Sequence, residues 1–108
     1  MNVISNNTLR ATVALAALQH VVDPEIGLNV VDLGLIYQID FDEAAKKVYC
    51  TMTLTTQFCP MGESITDAAR TALQETFPGE DITVTLSFDP AWNHEMISEE
   101  GREFLNER

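Results

Sequence analysis

Cys59 stands directly before Pro60, and a proline at the first helical position puts the preceding residue at the helix N-cap. A thiol there faces unpaired backbone N–H groups and the positive end of the helix macrodipole. Both favour the thiolate, which is the better nucleophile and soft-metal ligand. Glu63, one turn later, opposes this effect, and activation would rest on the helix end and on His94 if it lies across the same rim. The plain alternative is a small buried residue fitting a tight corner, and both readings stay open. Asp23, Glu25, Asp32 and Asp89 supply carboxylates in neighbouring loops. They could ligate a metal, act as acid or base, or cap backbone N–H groups, the common role of loop aspartates. Thr55 and Thr56 precede the cysteine and could offer hydroxyls to a bound anion or sulfur, although strand-end threonines also follow from propensity alone.

Cys50 lies in the apolar stripe between Val48 and Met52 and is read as structural. The two cysteines have no C-x-x-C spacing. One rim cysteine cannot complete a four-thiolate cluster or zinc site. Trp92 reads as core, His94 as surface, and His20 as a cation favoured at a helix C-terminus. No G-x-G-x-x-G, Walker, G-x-S-x-G or H-E-x-x-H pattern is present, which removes the usual nucleotide, hydrolase and zincin readings.

The elements that must position these residues follow from periodicity. Leu9, Val13, Ala16, Ala17 and Val21 predict the inward face of a helix from Thr8 to Val22, stopped by Asp23-Pro24. Leu35, Tyr37, Ile39 and Phe41 alternate with polar residues as a first strand. After a turn from Asp42 to Lys47, Val48, Cys50, Met52 and Leu54 make the second strand of a hairpin. From Pro60 onward, Ile65, Ala68, Ala69, Ala72, Leu73 and Phe77 mark a second amphipathic helix, ended by Pro78-Gly79. Ile82, Val84, Leu86 and Phe88 alternate as a third strand, and a short helix from Ser98 to Glu107 is interrupted by Gly101.

The expected fold class is α/β, a two-layer α+β domain: a small three-stranded mixed sheet with two helices on one face, in the order helix, strand, strand, helix, strand. A hairpin makes the first two strands antiparallel, and a helical crossover makes the third parallel to the second. Three connections then share one rim: the loop Asp23 to Gly34, the link Thr55 to Cys59, and the segment Asp89 to Ile97. The first is about twice the median connection length, as functional loops often are. Its Ile26, Leu28, Val30, Val31 and Leu33 should nonetheless pack as an extra layer of core.

The 108 residues, 45% of them hydrophobic and 21% charged, make a single domain over 1–108. Six basic against seventeen acidic residues give a net charge of -11. This argues against nucleic acid and anionic membrane as partners, whose affinity comes from Lys and Arg. The longest apolar stretch, residues 11–18, is too short to span a bilayer. The start of the chain has neither signal nor transit character, so the expected location is cytoplasmic, with reduced thiols.

The stretches Asp23-Pro24-Glu25-Ile26-Gly27 and Asn29-Val30-Val31-Asp32-Leu33-Gly34-Leu35-Ile36-Tyr37 are long and ordered. So are Met52-Thr53-Leu54-Thr55 with Cys59-Pro60 and Gly62, and Trp92 with Met96-Ile97-Ser98-Glu99-Glu100-Gly101. Together they resemble a small iron-sulfur-cluster assembly family that includes SufT-type proteins, PaaD-type proteins of phenylacetate degradation and the eukaryotic cytosolic iron-sulfur targeting component. The likeness runs from about Val13 to Leu105. It implies a fold similar to the C-terminal domain of NifU scaffolds and a role in carrying or inserting iron-sulfur clusters. The family's reactive cysteine maps onto Cys59 and its acidic loop residues onto Asp23, Glu25 and Asp32. Gln57-Phe58 replaces the small residues often found before that cysteine, and the cysteine-rich C-terminal extension of PaaD-type proteins is missing.

The leading expectation is an assembly factor acting on assembly or recipient proteins. Its iron-sulfur cluster would be transient, shared between two chains of a homodimer or with a partner or small thiol, and not held tightly by the monomer. The alternatives are an acidic adaptor for basic partners with a structural Cys59, and a thiol-dependent enzyme, which would need a base beside Cys59.

Overall fold

The computed structural model describes residues 3–24, 26–55 and 62–106. The elements run α1 (Thr8–Leu18), β1 (Ile36–Asp42), β2 (Lys47–Met52), α2 (Gly62–Thr76), β3 (Asp81–Leu86), a short 3-10 turn (His94–Met96) and α3 (Glu99–Asn106). The sheet order is β1-β2-β3, with β1 and β2 antiparallel and β2 and β3 parallel. This is the expected α/β arrangement. α2 packs on β3 and α1 packs on α2, so one face of the sheet carries the helices. On that face Val48, Cys50 and Met52 of β2 are buried; Lys47 and Tyr49 face outward and are exposed.

Several sequence expectations need correction. α1 ends at Leu18, short of Val22, and its inward residues are Ala11, Ala14 and Leu18. Leu9, Val13 and Ala16 are exposed instead. The segment Ala-Thr-Val-Ala-Leu-Ala-Ala-Leu is apolar nearly all round, so periodicity does not select a face. The choice is made at the N-terminus. Asn7 caps the helix by accepting from the Arg10 N–H. The Arg10 guanidinium lies 4.7 Å from the Phe41 ring centroid and 4.8 Å from that of Phe77, and pairs with Glu80. That contact turns the alanine side of α1 toward α2.

In β1 the pairing with β2 is irregular between Ile36 and Gln38. An irregular step shifts the side-chain alternation, so Leu35, Ile36, Ile39 and Phe41 are buried and Tyr37 leaves the stripe assigned to it. β3 is an edge strand that ends at Leu86: Ile82 and Val84 are only half-buried, Leu86 is exposed, and Phe88 lies exposed beyond the strand. In α2, Ile65, Ala69 and Leu73 enter the core as expected, joined by Phe77 just after the helix, whereas Ala68 is exposed.

Gly101 does not interrupt α3. It is buried, and a Cβ there would come within 2.9 Å of both Ile97 Cγ2 and Leu28 Cδ2. The glycine lets α3 seat against the loop before β1. In that loop Leu28, Val30, Val31 and Leu33 are buried and Ile26 packs against them, forming the extra core layer.

Candidate functional site

The strand register carries the rim. Ile36 pairs with Met52 and Met52 with Leu86, so β1 begins where β2 and β3 end. Backbone bonds from Thr53 N–H to Leu35 O (2.8 Å) and from Ser87 N–H to Met52 O (2.9 Å) continue the alignment past the strands. The loop before β1, the link after β2 and the segment after β3 therefore emerge side by side.

Asp32 joins two of the three. Its Oδ2 accepts from Asn29 Nδ2 at 2.7 Å and its Oδ1 from the Ser98 hydroxyl at 2.9 Å. Its own N–H donates to Asn29 Oδ1, and its carbonyl accepts from the Ser98 N–H at 2.7 Å. Ser98 is also the cap of α3, its Oγ accepting from the Gly101 N–H at 3.0 Å. Asp32 thus couples its own loop to the start of α3 through two hydrogen bonds and braces that loop through two more to Asn29, a network that fixes orientation well.

The segment after β3 is pinned at three further points. Trp92 Nε1 donates to Leu33 O at 2.6 Å, and the Tyr37 hydroxyl donates to Pro90 O at 2.7 Å. Gly34, at φ +78°, lies so close to Met96 that a Cβ there would meet its carbonyl oxygen at 2.2 Å. Between these contacts runs an open cleft of about 1080 Å³ lined by Asp32, Tyr37, Thr51, Asp89, Glu95 and Ser98, among others.

Asp23 is buried and opens the preceding turn: its N–H bonds to Leu28 O and its carbonyl accepts from the Gly27 N–H at 2.7 Å. The flanking bridge Val22 to Asn29 is antiparallel. Asp23 and half-buried Thr55, at the bend after β2, lie outside the cleft lining. Cys59, Glu25 and Thr56, and the cap position inferred for Cys59, lie outside the described residues. Trp92 is half-buried and His94 exposed, their rings 5.1 Å apart.

Cys50 sits in the core, 1% exposed, and burial pushes its thiol from 9.0 up to about 12. It stays protonated and is no thiolate donor at neutral pH. Among the described residues no group of three or more His, Cys, Asp or Glu side chains is arranged to hold a metal ion. Ser98, Asn29 and Trp92 were not singled out as partners of Asp32's loop by sequence reasoning. The signals available were the Asn29-x-x-Asp32 spacing and a serine before two glutamates at a helix start.

Residues 11–86 match the family model described as iron-sulfur cluster assembly protein. The chain belongs to this family. It is 38% identical over 84 residues to the Fe-S protein maturation auxiliary factor YitW of Bacillus subtilis, covering 78% of this chain and 81% of that one. It is 40% identical over 80 residues to the Fe-S protein maturation auxiliary factor SufT of Staphylococcus aureus, covering 72% and 88%. The crystal structure of a domain of unknown function from Bacillus anthracis superposes with a TM-score of 0.84 at 30% identity, covering 94% of this chain and all of that one. The family assignment agrees with the resemblance seen in the motifs. No helix among the described residues is long and apolar enough to cross a membrane.

Proposed function

We propose that this protein takes part in the maturation of iron-sulfur proteins and does so through Cys59, which holds a cluster or an iron-sulfur intermediate as cargo during transfer to a recipient. The role in maturation is supported by the family and by relatives named as maturation auxiliary factors. The observation that carries the mechanism is the register: the link leading from β2 to Cys59 leaves the sheet beside the loop of Asp32 and the segment after β3. A reactive residue on that link works against a rim already braced by Trp92, Gly34 and Asp32.

Within this reading Cys59 is the thiolate, and Asp23, Glu25, Thr55 and Thr56 lie on the adjoining segments. Asp32 is a positioning residue that keeps the loop and the start of α3 in register. An iron-sulfur centre needs several thiolates, and Cys50 is sealed in the core. The remaining ligands therefore come from outside the chain, from a protein partner or a small thiol, and the isolated monomer is colourless.

Anaerobic incubation with iron, sulfide and a small thiol, on wild type and Cys59→Ser, tests this. The wild type should acquire visible absorbance and pass it to an apo-ferredoxin-type acceptor; Cys59→Ser should do neither while melting normally. A folded Cys59→Ala that keeps full transfer activity would refute the cysteine mechanism and leave an acidic adaptor.

A further inference from the structure

The two edges of the sheet are treated differently. The free side of β1 is sealed by the N-terminal segment: Ile4 N–H donates to Tyr37 O at 3.1 Å and Ile4 O accepts from Ile39 N–H at 2.9 Å. Asn6 closes the next position, its Nδ2 donating to Phe41 O and its Oδ1 accepting from the Phe41 N–H, both at 2.9 Å. Among the described residues nothing equivalent covers β3. Asp81 and Ser87 donate their N–H groups to the β2 side, to Lys46 O and Met52 O. In a parallel ladder this alternation points the N–H and C=O groups of Ile82, Val84 and Leu86 away from β2. Among the described residues they bond to nothing.

A bare edge invites pairing, and proteins that must leave one open blunt it with lysine, proline or a bulge. β3 reads Asp-Ile-Thr-Val-Thr-Leu and pairs with β2 without a break in register. It has none of these devices. Ile82, Thr83, Val84 and Thr85 are of types among the strongest strand formers.

We infer that β3 pairs antiparallel with β3 of a second copy about a two-fold axis at Val84, joining two three-stranded sheets into one. The strand is complementary to itself in this register. Val84 meets Val84 and Ile82 meets Leu86 as hydrogen-bonded pairs that use the outward backbone groups. Thr83 meets Thr85 on the open face, a favourable cross-strand pair. Asp81 meets Ser87, so no like charges are opposed. Glu80, the next carboxylate along the chain, is already paired with Arg10.

An isologous contact of this kind closes as a dimer. Because the strands run antiparallel, the two rims lie at opposite ends of the shared sheet, about 20 Å apart along a six-residue strand. This consequence bears on the proposed function only in its detail: the two copies present separate rims, which argues against a cluster bridged between their cysteines. The dimer itself stands independently of the iron-sulfur reading.

Light scattering and sedimentation equilibrium on the full chain test it. The mass should rise with concentration toward twice 12.0 kDa, and association should tighten with salt, because two strongly acidic chains repel less when screened. Amide exchange at Ile82, Val84 and Leu86 should slow as concentration rises. Thr83→Lys with Thr85→Lys opposes like charges across the axis, and association should weaken about tenfold although net charge falls. Thr83→Lys with Thr85→Asp leaves net charge unchanged, opposes unlike charges, and should restore or tighten the dimer. Val84→Pro removes an outward N–H that bonds to nothing in the monomer and should leave a folded monomer. A wild-type mass of 12.0 kDa at every concentration up to millimolar would overturn the proposal. So would a dimer whose association is the same in both charged variants.

Discussion

Gly34 is where a single methyl group should separate the rim from the rest of the fold. Its φ of +78° is left-handed, a conformation costing an L-residue with a side chain about 1–2 kcal/mol. In Gly34→Ala the new Cβ would also lie 2.2 Å from the Met96 carbonyl oxygen and 2.8 Å from the carbonyl carbon. These are backbone atoms, so relief requires moving the segment after β3, an overpacking cost of about 1–3 kcal/mol. The total is about 2–5 kcal/mol. Gly79 is a matched control: φ is +84°, but nothing lies within 4 Å of its added Cβ. Gly79→Ala therefore carries only the conformational cost, about 1–2 kcal/mol, and the unfolded-chain entropy that alanine removes is common to both variants. At about 4 °C per kcal/mol for a domain of this size, Tm should fall by roughly 8–20 °C in Gly34→Ala and by about 4–8 °C in Gly79→Ala, each lessened by that common term. The sequence holds one tryptophan, and it sits in the segment that must move, bonded to Leu33 O. Its emission should shift to longer wavelength in native Gly34→Ala and stay unchanged in Gly79→Ala. Equal Tm values for the two variants, with unaltered Trp92 emission, would refute the argument that close backbone approach at Gly34 holds the rim.

Three further outcomes follow from the same geometry. Ser98→Ala removes both the α3 cap and the donor to Asp32 Oδ1 and should cost about 1–2 kcal/mol in urea unfolding. Asp32→Asn should cost about 1 kcal/mol, the double variant should fall short of the sum, and cluster transfer per folded Asp32→Asn molecule should fall because the rim it braces is loosened; strict additivity or unchanged transfer would contradict a positioning role. Because burial raises the Cys50 thiol from 9.0 to about 12, the folded state keeps a proton that the unfolded chain releases. Its contribution is complete below pH 9 and is lost as pH climbs toward 12, at up to about 1.4 kcal/mol per pH unit. Cys50→Ala should flatten that alkaline limb of the stability curve. Arg10→Ala strips a half-buried cation from Glu80 and from two aromatic rings and should lower stability by about 2 kcal/mol. Arg10→Lys, which cannot stack its charge as a plane, should recover only part of this in the same thermal melts.

Strand alternation and helical spacing determined a good deal of this protein by themselves. The stripe Val48, Cys50, Met52 turns inward because a strand presents every second residue to one face, and Ile65, Ala69 and Leu73 do so because they recur at helical intervals. Hairpin and crossover rules then put three connections on one rim from the order of the elements alone. Other features had no local cause. The inward face of α1 is undefined in an almost wholly apolar segment and is chosen by Arg10 meeting Glu80, Phe41 and Phe77. The irregular step after Ile36 moves Tyr37 out of its stripe, and only the pairing with β2 reveals it. Asp32 and Ser98 are separated by 66 positions, so their hydrogen bond arises from two loops brought together by the sheet. The bare edge of β3 likewise depends on which strand the chain happens to leave outermost. Local periodicity encodes what each segment buries; which segments meet is decided only when all of them compete for the same core.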